Sequence, residues 1–375
     1  MEQTANRSAF GDALQKLETD LRDLSNHAVY GTISPSNIPL IDFSVSDIPE
    51  VILNQFDLDF CTGFATSEDG TSLECSDASL VDYLTKKGLP STASDRANLA
   101  FARALVSSPQ EYMNLLVAKQ NGAVNLQLIS LLMKENGDYM DPLFQFQAIK
   151  QITGNWQAPG ADIRSACLAR QKIGSIPKNK SPFTHLEGKP TDKDRNFLAN
   201  PANWPATLAT EASKHEGAFF TVDGPYDAFD NIRSALWQNK QAGIKSGVIF
   251  GLMWRPEWNT MPGGIINDTY ATPAGDPHCV RLIGQKIING VPYIKMQQSW
   301  GDWYGDKGFV YLPRNVINME ATTGFGMFTF KDMTVNDAKY YAANGINVND
   351  NWLVQIAKAF YNFIFPQNAK STDGK

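Results

Sequence analysis

The sequence predicts an α+β chain folded into two lobes, and three observations carry that expectation. Helical periodicities crowd the first half, strand-like runs crowd the second, and 375 residues are enough for two compact cores. The apolar fraction of 43% and the charged fraction of 19% are those of an ordinary globular chain. The most informative run extends from His278 to Gly308. Its apolar positions Val280, Leu282, Ile287, Ile288, Tyr293, Ile294 and Met296 are largely β-branched or aromatic, and Asn289-Gly290 between them is a turn signal, so the run reads as a hairpin. His278 opens the first strand and Gln298 closes the second. Residues roughly equidistant from the turn of an antiparallel pair lie side by side. An imidazole and a side-chain amide are thereby brought into hydrogen-bonding range, which is how a catalytic base is oriented.

The other elements follow in chain order. Residues 8–27 place Leu14, Leu17, Leu21 and Leu24 on one helical stripe. That stripe reads as a helix packed on the body, with an inhibitory pro-segment as the alternative. After a loop rich in Ser and Pro, the run Ile48 to Ser67 places Cys61 at the start of a helix, with Gly70 expected to end it. A thiol at a helix N-terminus faces unpaired N–H groups and the positive end of the dipole, so its thiolate is stabilised. Residues 94–107 and 109–134 form two helical patterns, with Ser94 or Asp95 as a cap and Pro109 in an opening turn. They suit an interaction surface or a lid.

Met140 to Pro177 reads as a pair of helices joined by a small-residue turn at Gly160-Ala161, with Cys167 as a packing group. Lys178 to Trp204 opens as a basic, Pro-bearing surface excursion that carries a solvated His185. Strand signal returns at Gly217 to Val222, a helix follows from Ala228 to its stop at Gly243, and Ser246 to Trp254 is a buried strand. Gly308 to Pro313 is a closing strand. In the tail, Trp352 to Phe365 is apolar apart from a narrow stripe of Gln355, Lys358 and Asn362, and such a face needs a cover.

Several of these stretches resemble the papain-like cysteine peptidases. That family has a His at the start of one strand, then Asn-Ser-Trp-Gly and a Gly-rich loop; here Gln298-Ser299-Trp300-Gly301 and Tyr304-Gly305-Asp306-Lys307-Gly308-Phe309 stand at those places. Gln replaces the Asn, and Tyr replaces the second Trp. Upstream, Gln55 lies six positions before Cys61, and Gly63-Phe64-Ala65 follows at the family's offset. Asp59 and Phe60 replace the usual small pair, Thr62 replaces an aromatic, and Leu58 stands where a disulfide cysteine often sits. The resemblance implies a helical lobe and an antiparallel β-barrel-like lobe with a cleft between them. It implies Cys61 as nucleophile, His278 as base, Gln298 as its orienter and Trp300 as a shield, with Gln55 and the Cys61 N–H as oxyanion donors. Gly160 and Ala161 would lie along an extended substrate. The implied organisation is an N-terminal helix and linker over 1–45, a helical lobe over 46–215 with an insertion at about 69–138, a β-rich lobe over 216–330, and a tail over 331–375.

Charge and composition exclude other classes. A net charge of −6 does not suit a general nucleic-acid grip, which needs clustered Lys and Arg. Peptides or proteins are the expected partners. Cys61, Cys75, Cys167 and Cys279 show no C-x-x-C spacing and no H-E-x-x-H occurs, so neither metal nor cofactor is expected. The start lacks a secretory pattern, and no run approaches a membrane span. With few cysteines, this points to the cytoplasm or an intracellular or viral assembly. Three functions remain open: a peptidase; a catalytically impaired structural or binding component, docking through the inserted or C-terminal helices; and an amidase or acyl transferase on the same scaffold.

Overall fold

A computed structural model describes residues 25–46, 50–55, 59–74, 134, 137, 139–155, 160–183, 206–215, 217–267 and 272–331. The inserted helical patterns, the C-terminal apolar pattern, His185, Cys75 and nearly all of the N-terminal pattern lie outside those residues. Met1–Phe330 forms one compact unit and Lys331–Lys375 a second, of which only Lys331 is described.

The helices are α1 (Asn26–Tyr30), α2 (Cys61–Glu74), α3 (Pro142–Thr153), α4 (Ile163–Lys172), α5 (Ala206–Ala212), α6 (Ala228–Ala242) and α7 (Arg314–Glu320). The strands are β1 (Phe43–Ser44), β2 (Ala218–Thr221), β3 (Val248–Trp254), β4 (Asp276–Ile288), β5 (Val291–Gln297), β6 (Phe309–Leu312) and β7 (Met327–Lys331). Local chemistry sets the helix ends. Asp141 accepts the Leu143 and Phe144 N–H groups at the start of α3, Asp162 accepts that of Ser165 in α4, and Asp227 accepts that of Asp230 in α6. Each such cap is worth about 1 kcal/mol. Gly154 and Gly243 close α3 and α6 in the left-handed conformation.

The seven strands form one sheet of order β2-β7-β3-β4-β5-β6, with β1 added against β4. It is open, with β2 and β6 at its ends, where the sequence suggested a barrel-like closure; seven strands with only short outer members leave nothing to join those two edges. The β4–β5 hairpin turns at Asn289 and Gly290, both at positive φ (51° and 80°). Such a two-residue turn matches the twist of the flanking strands.

Period-two alternation sends the two faces of the sheet to different partners. Val248, Phe250, Leu252 and Trp254 of β3, with Val280 and Leu282 of β4, share a core with Phe229, Ile232, Ala235 and Leu236 of α6. The intervening Ile249 and Cys279 pack on the other face with Cys61, Ala65 and Leu73 of α2 and Ile163 and Cys167 of α4. A third core, including Phe144, Ile149, Ala166 and Ala212, lies among α3, α4 and α5. The helical lobe is thus held to the sheet by an apolar seam that contains the candidate nucleophile.

Two differences from the sequence reading have physical causes. Helix α2 does not stop at Gly70 but runs on to Glu74. A Cβ at Gly70 would come within 3.2 Å of Met140 Cγ and 3.4 Å of Arg170 Cζ, so this glycine admits close packing of α2 against its neighbours and breaks nothing. Strands β1 and β7 and helix α7 escaped notice because they are short, and β7 joins β3 only through tertiary pairing. Among the described residues no helix is long and apolar enough to cross a membrane.

Candidate active site

His278 lies near the start of β4, where it is paired with Leu252 of β3 and 1% exposed. Gln298 follows the last residue of β5 and is fully buried. Its Oε1 lies 2.8 Å from His278 Nε2 and 3.2 Å from the Ser299 backbone N–H. An amide oxygen only accepts, so the imidazole carries its proton on Nε2 and Nδ1 is the basic nitrogen. Gln298 therefore stands beside the imidazole, where the sequence reading expects an orienting amide. The Trp300 indole stacks on the imidazole, with centroids 4.9 Å apart and planes at 23°. Trp254 meets Trp300 edge-on at 4.7 Å, and Tyr304 meets it at 5.1 Å, so the aromatic wall is itself braced.

Cys61 is the first residue of α2 and is 3% exposed. It packs in one buried cluster with Cys279, the residue directly after His278. Burial pushes the thiol up to about 11; the backbone N–H groups of Cys279, Thr62 and Cys61 itself oppose that rise and the nearby Asp59 carboxylate adds to it. The helix N-terminus acts in the direction expected from the sequence, but desolvation outweighs it. Cys279 is also held well above the usual thiol range, first by burial and then by Cys61 and Cys167 beside it. Cys167 is a fully buried packing group in the same seam.

Gln55 is fully buried, and its position comes from the loop after β5. Its backbone N–H donates to Ser299 O at 2.8 Å, Asn54 pairs with Trp300, and the Gly301 N–H donates to Leu53 O at 2.8 Å. Ser299 Oγ donates to Gln55 Oε1, so the Gln55 amide is oriented by the residue next to Gln298. The segment leading to the nucleophile is stitched to the segment carrying the orienter. No spacing rule predicts that contact.

Gly160 adopts a positive φ of 60°, and Ala161 is 7% exposed at the start of the turn into α4. The Lys150 ammonium of α3 donates to Gly160 O and sits 4.8 Å from the Phe146 ring centre. Phe146 stacks on Phe60, centroids 3.9 Å apart, and Phe60 immediately precedes Cys61. Burial lowers Lys150 to about 8, against the pull of Asp162 and Asp59. This Phe60–Phe146–Lys150 chain joins the nucleophile flank to the Gly160 turn.

The sequence reading also missed a buried ionic knot behind the site. Arg281 on β4 meets Asp69 of α2 and Glu50, and Arg170 of α4 meets the other oxygen of Asp69. The signal was present as Arg281 within an otherwise apolar strand run, since such a charge is almost never fully buried unless paired.

Comparison with known proteins bears on the fold and on the sequence pattern of the β-rich part. Residues 222–326 match the model of the papain family cysteine proteases. A viral cathepsin of Mamestra configurata nucleopolyhedrovirus is 41% identical over 54 residues, which are 14% of this chain and 15% of that protein. The P34 probable thiol protease of Glycine max is 32% identical over 73 residues, 19% of each. The chain thus spans less than one fifth of the length of these two curated relatives. Among solved structures, xylellain, a cysteine protease from Xylella fastidiosa, superposes with a TM-score of 0.53 at 16% identity, covering 88% of this chain and 98% of that one. The proCathepsin B S9 of Trypanosoma congolense gives 0.50 at 12% identity, covering 88% and 90%. The chain has the papain-like fold, and its β-rich half carries the sequence pattern of the papain family of cysteine proteases.

Proposed function

We propose that the protein is a cysteine peptidase that hydrolyses peptide bonds through Cys61 and His278. The observation that carries this reading is the convergence on one strand end. Gln298 binds His278 Nε2 at 2.8 Å, and Cys61 packs in one buried cluster with the next residue, Cys279. His278 Nδ1 takes the thiol proton as the sulfur bonds to the substrate carbonyl carbon. The resulting oxyanion is met by the Cys61 N–H and the Gln55 amide. His278 then gives the proton to the departing amine nitrogen, and the C–N bond breaks to leave a thioester. Water attacks that thioester while His278 takes its proton, and the returning proton restores the thiol as the acid leaves. Trp300 keeps water from the His278–Gln298 bond, and the Gly160–Ala161 edge holds the peptide backbone.

A thiol pushed up to about 11 is not a nucleophile by itself at neutral pH, so the reading requires an imidazolium to stabilise the thiolate. The same burial favours the rival reading, a binding component on a peptidase scaffold. A peptide-library cleavage profile with a Cys61→Ser control separates the two. The peptidase reading expects cleavage that vanishes in the variant. Undiminished cleavage in Cys61→Ser, or none in the wild type, overturns it.

A further inference from the structure

We infer that Arg281 is the positioning residue of this site, and that one buried guanidinium sets the mutual placement of the segments bearing nucleophile, base, orienter and oxyanion donor. The inference rests on the peptidase reading above. Arg281 is fully buried on β4, the strand that carries His278. Its Nε donates to Asp69 Oδ1 at 2.9 Å, and Asp69 belongs to α2, the helix that begins at Cys61. Its Nη1 donates to Glu50 Oε2 at 2.7 Å, in the segment that leads to Gln55. The same Nη1 lies 2.8 Å from Gln297 Oε1, and Gln297 immediately precedes Gln298. Its Nη2 donates to Lys245 O at 3.1 Å.

The partners are themselves held. Asp69 also accepts the Gly247 N–H at 2.6 Å, Ser246 Oγ at 2.9 Å and Arg170 Nη1 at 3.2 Å. Gln297 Nε2 donates to Val51 O at 3.1 Å, and Ser72 Oγ of α2 donates to Glu50 Oε2 at 2.7 Å. Nε and Nη1 therefore reach the segments that carry Cys61, Gln55 and Gln298, while Nη2 anchors the fork on Lys245 O.

Adhesion alone does not explain this choice of residue. The two lobes already share an apolar seam, and a buried ion pair is often no more stabilising than well-packed apolar side chains of similar volume. A guanidinium supplies direction instead. Its five N–H groups leave one rigid plane at fixed angles, so partners bound to different N–H groups cannot shift independently. Lysine carries the same charge but not those angles.

The arms can be tested separately, with two readouts that stability alone does not move. Asp69→Asn releases the nucleophile helix, so iodoacetamide alkylation of Cys61 slows by about tenfold or more, and the acidic limb of its pH–rate profile moves toward that of an isolated thiol. Glu50→Gln releases the Gln55 segment, so kcat on a peptide substrate falls by about tenfold with KM and the alkylation profile unchanged. Arg281→Lys shows both defects. Gln297→Ala removes an uncharged arm and leaves no buried charge without a counter-charge, so it is the variant best able to keep the fold; it lowers kcat at constant KM. Wild-type kcat in Gln297→Ala, or folded Asp69→Asn and Glu50→Gln proteins that lose only unfolding midpoint, overturn the inference. A wild-type protein whose Cys61 alkylates no faster than its other cysteines fails the peptidase reading instead, before any variant is made.

Discussion

The two halves of the candidate site are built by opposite strategies. On the sheet, His278, Gln298 and Trp300 come from one hairpin and the turn beyond it, and their geometry is complete within that hairpin: a 2.8 Å bond to the ring and an indole stacked on its face. On the helical side, Cys61 has a suppressed thiol, a charged and aromatic flank in Asp59 and Phe60, and a Gly160 turn held from behind by Lys150. Under the proposed mechanism the sheet half is prepared, and the helical half becomes reactive only through it. The comparison teaches that burial alone disarms a nucleophile even at a helix N-terminus, and that the base must restore what desolvation removes.

The largest expected effect is therefore at His278. His278→Ala lowers kcat by about 10²- to 10⁴-fold and removes the acidic limb from the pH profile of Cys61 alkylation. A small loss would mean that the helix dipole and the N–H groups of Cys279 and Thr62 suffice to arm the thiol, which would reverse the comparison. Next comes the orienter. Gln298→Asn withdraws the accepting oxygen by about one bond length and lowers kcat by up to 100-fold, since a displacement of about 1 Å can cost that much. Kinetics on the Asn variant check this, and an undiminished kcat would show that imidazole orientation comes from the Trp300 stack.

The helical half responds differently. Lys150→Met keeps the length of the side chain but removes the donor to Gly160, so KM for extended peptides rises by about tenfold at constant kcat, the scale of one charge-assisted hydrogen bond. Because burial lowers Lys150 to about 8, the wild-type KM rises in the same way as pH passes through 8 and the ammonium is lost. In Lys150→Met that rise disappears, and a small electrophile such as iodoacetamide, which needs no backbone edge, reacts as in wild type.

The smallest effect is on stability. Glu68 of α2 is buried, and burial holds its pKa well above the usual carboxylate range, with Arg281 opposing and Glu50 adding to the rise. Above the ordinary carboxylate range the unfolded chain gives up this proton while the folded chain keeps it. The contribution of Glu68 is therefore complete at low pH and is lost as pH climbs toward the folded value. Glu68→Gln removes that dependence, so denaturant midpoints of variant and wild type agree in acid and separate at neutral pH in favour of the variant. A wild-type midpoint that does not fall relative to the variant would mean that Glu68 is ionised inside the knot.

What the sequence disclosed follows the same division. His278 and Gln298 are 20 residues apart on one hairpin, so turn chemistry and period-two alternation were enough to bring them together. Cys61 and Gln55 were legible as a spacing, but not the stitching of Leu53, Asn54 and Gln55 to Ser299, Trp300 and Gly301, because bridges between distant segments leave no periodic mark. Arg281 went unread for that reason: its partners Asp69 and Glu50 lie 212 and 231 positions away. Gly70 was misread as a helix end because a glycine chosen for close packing and one chosen for a stop look the same in one dimension.

The two-residue turn at Asn289 and Gly290 also bears on the order in which the molecule comes together. Closing a short hairpin is entropically cheap and fast, whereas the Arg281–Asp69 contact must close a span of 212 residues, and that cost is met late. During synthesis and early collapse the imidazole can already be aimed while the sulfur is still elsewhere on the chain. On the peptidase reading, a half-made molecule of this kind has no cutting edge to turn on itself or on its neighbours.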